Sequence, residues 1–178
     1  MTPEQENSAR DKLWSAAYRR WYDSYFNEIV ANRLVSRWQA FSDPAKVIIA
    51  VTASGSVIAG WTLWNQPGYR IFWIVLAGAG AVLSVISSSL TIPERIKDWI
   101  STRAEFSHVK IETEILMNRM KLHPDFSINE TEKALETLDR RYGEAVDRMR
   151  NDFLHTSRLN SDCKTELDKI VSDSKLWT

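Results

Sequence analysis

Three histidines, His108, His123 and His155, are the residues whose chemistry would matter most in a chain of this size. They stand far apart in sequence, and none has an acid, base or nucleophile at a spacing that would orient it. His108, within AEFSHVKIE, fits a buried helix-packing histidine better than a catalytic one. Glu112 with Glu114, and Glu130 with Glu132, are two-residue repeats on helical stretches, so each pair diverges around the helix rather than converging on a substrate. Arg140-Arg141 could meet a phosphate-bearing ligand, but a solvated helix face accounts for it as well. Cys163, the single cysteine, has no partner for an internal disulfide and no neighbours at metal-ligand spacing. The run AGAGA, Ala77–Ala81, lies inside an apolar stretch and not at the strand-to-helix turn a phosphate loop requires. The residue pattern therefore predicts no enzyme, no cofactor and no metal.

The elements that would carry these residues are helices. Glycine and proline number 6 and 5 in 178 residues, and long stretches lack any breaker. Basic and acidic residues balance at 23 each, which excludes a generally basic nucleic-acid binder and leaves no direct nucleic-acid readout in view. The mean hydropathy of −0.32 conceals a strong segregation. From Val47 to Ile92 the only charged residue is Arg70, while both flanks are dense in charge. Met1–Phe41 is charged throughout, unlike a secretory signal peptide.

The segregation predicts a transmembrane helical hairpin over residues 45–92. Its first span is Val47–Trp64 and its second Ile71–Ile92, which at the helical rise cover roughly 27 and 33 Å against a hydrocarbon core of about 30 Å. Pro67-Gly68 between them suits the centre of a type II turn, and a six-residue link cannot re-cross a bilayer. Arg33, Arg37, Lys46, Arg95, Lys97 and Arg103 flank the hairpin, and Arg70 alone sits in its loop. That bias places both ends of the chain in the cytoplasm and the loop outside. Trp61, Trp64, Tyr69 and Trp73 then gather at the outer interface, where aromatic rings are favoured.

Each span carries a small, weakly polar face. Thr52, Ser56 and Gly60 recur on the first; Ala77, Gly80, Ala81, Ser84, Ser87 and Ser88 on the second, opposite Val75, Val82, Val85 and Ile86. Small residues let helix backbones approach closely in lipid, so these faces pack against each other or against another copy; in an oligomer, the same hydroxyl stripe could line a polar path. No ionisable residue lies inside either span, which argues against a proton relay or carrier.

The flanks complete an all-α chain in three parts. Residues 1–44 form a long amphipathic cytosolic helix from Glu4 to Phe41, ended by Asp43-Pro44, whose aromatic face (Trp14, Tyr18, Trp21, Tyr22, Tyr25) suits packing on the C-terminal helices or lying on the membrane. Residues 93–178 form a C-terminal cytosolic helical domain. One helix runs from Pro93 to about Leu122 with Ile96, Trp99, Phe106, Val109, Leu116 and Met120 as its stripe. After His123-Pro124-Asp125, Ser127 with Glu130, or Asn129 with Glu132, caps a helix reaching His155. Its Leu135, Leu138, Tyr142, Ala145, Met149 and Phe153 follow heptad steps fit for a helical hairpin or short coiled coil. A last helix covers Asp162–Ser172.

This layout is similar to the SLATT family. The resemblance covers about Leu13 to Met120 and rests on W-x3-Y-x2-W-Y at Trp14–Tyr22, the two spans with their short turn, and A-x3-H at Ala104–His108. The family comprises two-transmembrane effectors of bacterial anti-phage defence, associated with nucleotide-second-messenger (CBASS) and retron loci. The resemblance implies an inner-membrane toxin acting in abortive infection. Such a toxin is held silent through its cytosolic helices, oligomerises on activation, and disrupts the bilayer once a sensor reports infection. The sensor would be a nucleotide-sensing protein or a retron reverse transcriptase with its RNA-DNA product. The alternative function is a passive membrane anchor or scaffold that recruits a cytosolic partner. The first span is short and lacks a leucine-rich body, a departure from the family pattern.

Overall fold

In the computed structural model every regular element is helical, with no strand among the described residues. The structure describes residues 2–63, 71, 74–75, 78–82, 84–85, 91–123, 125–149 and 152–173; for 3, 44–45, 48–49 and 51–63 it describes the backbone alone. Helices α1 (Pro3–Leu63), α2 (Ile92–Leu122), α3 (Ile128–Met149) and α4 (Ser157–Asp173) are the long elements, and residues 78–82 are helical as well. Two compact units result: Met1–Leu34 with Trp99–Thr178, and Val35–Asp98.

Local chemistry explains where the helices begin. Thr2 and Gln5 cap α1 reciprocally: the Thr2 N–H donates to Gln5 Oε1 at 3.0 Å and the Gln5 N–H to Thr2 Oγ1 at 3.4 Å. Pro3 follows at the first helical position, where its missing N–H costs nothing. Ser127 caps α3, its Oγ accepting the Glu130 N–H at 3.5 Å. Of the two registers the sequence allowed, this is the one used, and Asn129 lies inside the helix. Thr156 caps α4 through the Leu159 N–H at 3.3 Å. At the start of α2 the backbone carbonyl of Thr91 takes the Glu94 and Arg95 N–H groups at 2.9 and 3.0 Å.

The first unit is an up-down-up-down assembly of helices. The first half of α1 pairs antiparallel with α2 (Glu28 with Lys110, Asn32 with Arg103), parallel with α3 (Arg10 with Phe126, Arg20 with Asp139) and antiparallel with α4 (Tyr22 with Asp168, Arg33 with Glu166). Ala17 and Trp21 of α1, Met117 and Met120 of α2 and Leu135 of α3 form one buried cluster, with Trp14, Tyr18, Tyr25 and Val171 packed on it. The aromatic face of α1 thus packs on the C-terminal helices, the first of the two roles open to it. Side chains of this size contribute about 1.5–3 kcal/mol each when fully buried.

Several boundaries differ from expectation. Asp43-Pro44 does not end the N-terminal helix; α1 runs through it. Proline's φ is already helical, so what the helix loses there is one hydrogen bond and some clash-driven bending, a cost that flanking turns can absorb. The helix carrying Leu135 stops at Met149 rather than His155, and Phe153 is 66% exposed, outside the heptad it was assigned to. Asp152 explains the turn: its Oδ1 accepts the Leu154 N–H at 2.8 Å and its Oδ2 the Trp99 indole N–H at 2.6 Å. The last helix begins at Ser157, five residues before the expected Asp162.

In the second unit, Val35, Trp38 and Ser42 are buried at three- and four-residue steps. Thr91, just before α2, has φ at 45°, left-handed for a β-branched residue and strained by about 1–2 kcal/mol. Ile92, expected to end the second span, instead opens α2. Among the described residues no helix is long and apolar enough to cross a membrane. The two expected spans and the expected turn between them fall largely on residues outside the described set (64–70, 72–73, 76–77, 83 and 86–90) and on 51–63, whose side chains are not described.

Candidate functional site

The residues with catalytic potential do not converge. His108 and His123 are exposed, so His108 is not the packing histidine its neighbours suggested; it lies on the side of α2 away from Phe106 and Val109. His155 Nε2 is 2.8 Å from Asn160 Oδ1, a contact local to the turn before α4. Cys163 is buried in the α4 stripe with Leu159 and Leu167. Among the described residues no three His, Cys, Asp or Glu side chains gather as a metal site.

Of the acidic and basic residues singled out by sequence, Glu112 and Arg141 tie two helices together. Arg141 of α3 forks across to α2, 2.7 and 2.8 Å from the two Glu112 oxygens and 3.4 Å from Glu105. The hydrogen bond to Glu112 is the main cause that holds the Arg141 guanidinium above its usual pKa. Arg140 makes only an intrahelical approach to Glu144 at 3.5 Å. Arg20 lies over the Tyr142 ring at 3.9 Å and reaches Asp139 at 2.5 Å. The Tyr142 hydroxyl accepts from Asn27 Nδ2 at 2.7 Å, and its ring meets Phe106 edge-on at 5.8 Å. Burial pushes the Tyr142 phenol and the Asp23 carboxyl upward in pKa. Lys110 pairs with Glu28 at 2.6 Å and sits 4.4 Å from the Tyr25 ring centre. An open groove of about 490 Å³ runs beside Lys12, Arg19, Arg20 and Asp139. Cations and carboxylates alternate there, so it offers no sustained field for an anion.

Of the small-residue faces, Thr52, Ser56 and Gly60 lie on α1, where only the backbone is described, and Ala77, Ser87 and Ser88 lie outside the described residues. Gly80 is buried, whereas Ala81 and Ser84 are exposed. The bulky positions are the more telling. Ile71, Ile74, Val75, Val82 and Val85 all stand exposed, Ile71 by 71% and Val85 by 66%. These five, at steps of three, one, seven and three residues, make an apolar surface with no charge within it. Val47, at the start of the other expected span, is 61% exposed. Compared with family models, with curated proteins and with solved structures, the chain matches none.

Proposed function

We propose that residues 47–92 insert into a bacterial inner membrane as a helical hairpin, both ends of the chain lying in the cytoplasm, and that the chain is a membrane-disrupting effector of abortive anti-phage defence. The observation that carries the membrane part is the exposed surface of Ile71, Ile74, Val75, Val82 and Val85. Large β-branched side chains left in water in one charge-free run are unfavourable, at about 25 cal/mol per Å² of apolar surface, and lipid removes that cost. The charge-free interval from Val47 to Tyr69 and from Ile71 to Ile92, with basic flanks, points the same way. The effector role rests on the resemblance to the SLATT family and on the absence of any converging catalytic group among the described residues. On this reading the helical head of α1–α4 receives the signal from a cytosolic sensor, either a nucleotide-sensing protein or a reverse transcriptase bearing RNA-DNA. The hairpins then assemble and open the bilayer.

Expression in cells loaded with a membrane-potential dye tests the role. An effector depolarises the cells when triggered or overproduced, and its toxicity tracks the depolarisation. Membrane-bound protein that leaves the potential intact under the trigger would make the chain a passive anchor for a cytosolic partner instead.

A further inference from the structure

Helix α2 has two apolar sides, and the fold uses one. Thr102, Phe106, Val109, Thr113, Met117 and Met120 are buried within the first unit. On the other side Ile100, Ala104, Ile111, Ile115, Asn118 and Leu122 are all exposed, Ile111 by 48% and Leu122 by 74%. Ala104, His108, Ile111, Ile115, Asn118 and Leu122 recur at steps of four, three, four, three and four residues, the seam pattern of paired helices, with Ile100 on its flank. No Asp, Glu, Lys or Arg lies within that seam. Single surface leucines need no explanation, but four large aliphatics on one side of one helix do.

The flanks of the stripe say what covers it. Glu114 precedes the seam residue Ile115 and Arg119 follows the seam residue Asn118, which are the two flanking positions of a heptad. When two such helices run parallel and in register, the first flank of one helix meets the second flank of the other five residues further on. Glu114 therefore meets Arg119 of the second copy, and the reciprocal pair closes the other side. Neither side chain joins an ion pair among the described residues of its own chain. Asn118, the one polar amide on the seam, would meet its own counterpart, a pairing that a parallel register satisfies and a slipped one leaves unsatisfied.

We propose that the exposed stripe of α2 is the seam at which a second copy of this chain docks, parallel and in register. The parallel sense rests on the membrane reading above, because two copies inserted in one membrane with one orientation present their following helices in the same direction. The pairing itself rests on the stripe and its self-complementary flanks.

Single cysteines test it in the full-length chain, in native membranes and in a Cys163→Ala background. In a parallel pair each seam position faces its own counterpart, so Ala104→Cys, Ile111→Cys and Leu122→Cys should each give a disulfide-linked dimer on mild oxidation. Glu136→Cys, on an exposed position of α3, should not. Adding Ile111→Asp to the Leu122→Cys chain should lower dimer yield by at least about tenfold, since an unpaired carboxylate would be buried, with helix content by circular dichroism unchanged. Glu114→Arg should lower it about fivefold, the scale of two exposed ion pairs turned to repulsions, and Glu114→Arg with Arg119→Glu should restore it. Dimers at one stripe position alone would mean an antiparallel contact; adducts only with another protein, or none, would mean a different occupant or a bare face. Each of these outcomes overturns the proposal. Fractionation of the same samples separates the two claims: membrane-bound chain without dimers sinks the seam alone, and dimers at all three positions in a chain that stays out of the membrane sink the membrane reading alone.

Discussion

Single side chains in the helical head show where stability is spent and where it can be recovered. Ser24 is fully buried in α1 and its hydroxyl finds no hydrogen-bond partner among the described residues. A buried orphan hydroxyl costs about 1–3 kcal/mol, so Ser24→Ala should stabilise the protein by about 1 kcal/mol in denaturant unfolding. Tyr22 has the opposite character. Burial, followed by its hydrogen bond to Asp168, pushes its phenol up to about 12 from an ordinary value of 10.0. A group raised in the folded state gives stability that is complete below the unfolded pKa and is lost as pH rises through the folded one. The Tyr22 contribution should thus be constant below pH 10.0 and disappear between there and about 12. Unfolding midpoints measured across that range should fall in the wild type and fall less in Tyr22→Phe. The chemistry of these residues was only partly legible in the sequence. Arg141 shows why: its two acidic neighbours, Glu112 and Glu105, lie on another helix, so no spacing along the chain reveals them.

At the scale of elements, periodic apolar residues located every long helix outside the hairpin, and local capping chemistry then set the ends. Leu135, Leu138, Ala145 and Met149 are buried as their heptad spacing requires. The ends were harder, because they depend on which polar side chain captures which orphan N–H. Asp152 taking the Trp99 indole and the Leu154 N–H ends the α3 segment early, and Thr2 with Gln5 starts α1 earlier than its apolar face does. The second side of α2 has a similar origin: Ile111 and Ile115 are as apolar as the core stripe, and only burial shows that they lie outside it. Gly143 offers a clean test of helix energetics. It lies inside α3, and a Cβ added there would meet nothing within 4 Å. Gly143→Ala should stabilise the protein by about 0.5–1 kcal/mol through backbone entropy alone, which corresponds to a melting temperature higher by roughly 1–4 °C in a chain of this size. An unchanged or lower midpoint would place a neighbour at that position after all.

The whole molecule divides its residues by solvent. The head buries its aromatic and aliphatic face and ties its helices together with paired charges; Ile71, Ile74, Val75, Val82 and Val85 expose theirs. Exposed aliphatic side chains and a charge confined to Arg70 are two sides of one account, in which lipid would cover residues 47–92. The small-residue positions within it, from Thr52 to Ser88, would then govern how hairpins meet. Chemical labelling of the loop between the spans tests this most directly. In intact cells expressing the full chain with Cys163→Ala and Gln66→Cys, a membrane-impermeant maleimide should modify residue 66 from outside, while a cysteine at Thr178 should react only after the membrane is broken. Labelling of residue 66 in broken cells alone, or extraction of the protein from membranes by alkaline carbonate, would contradict the account.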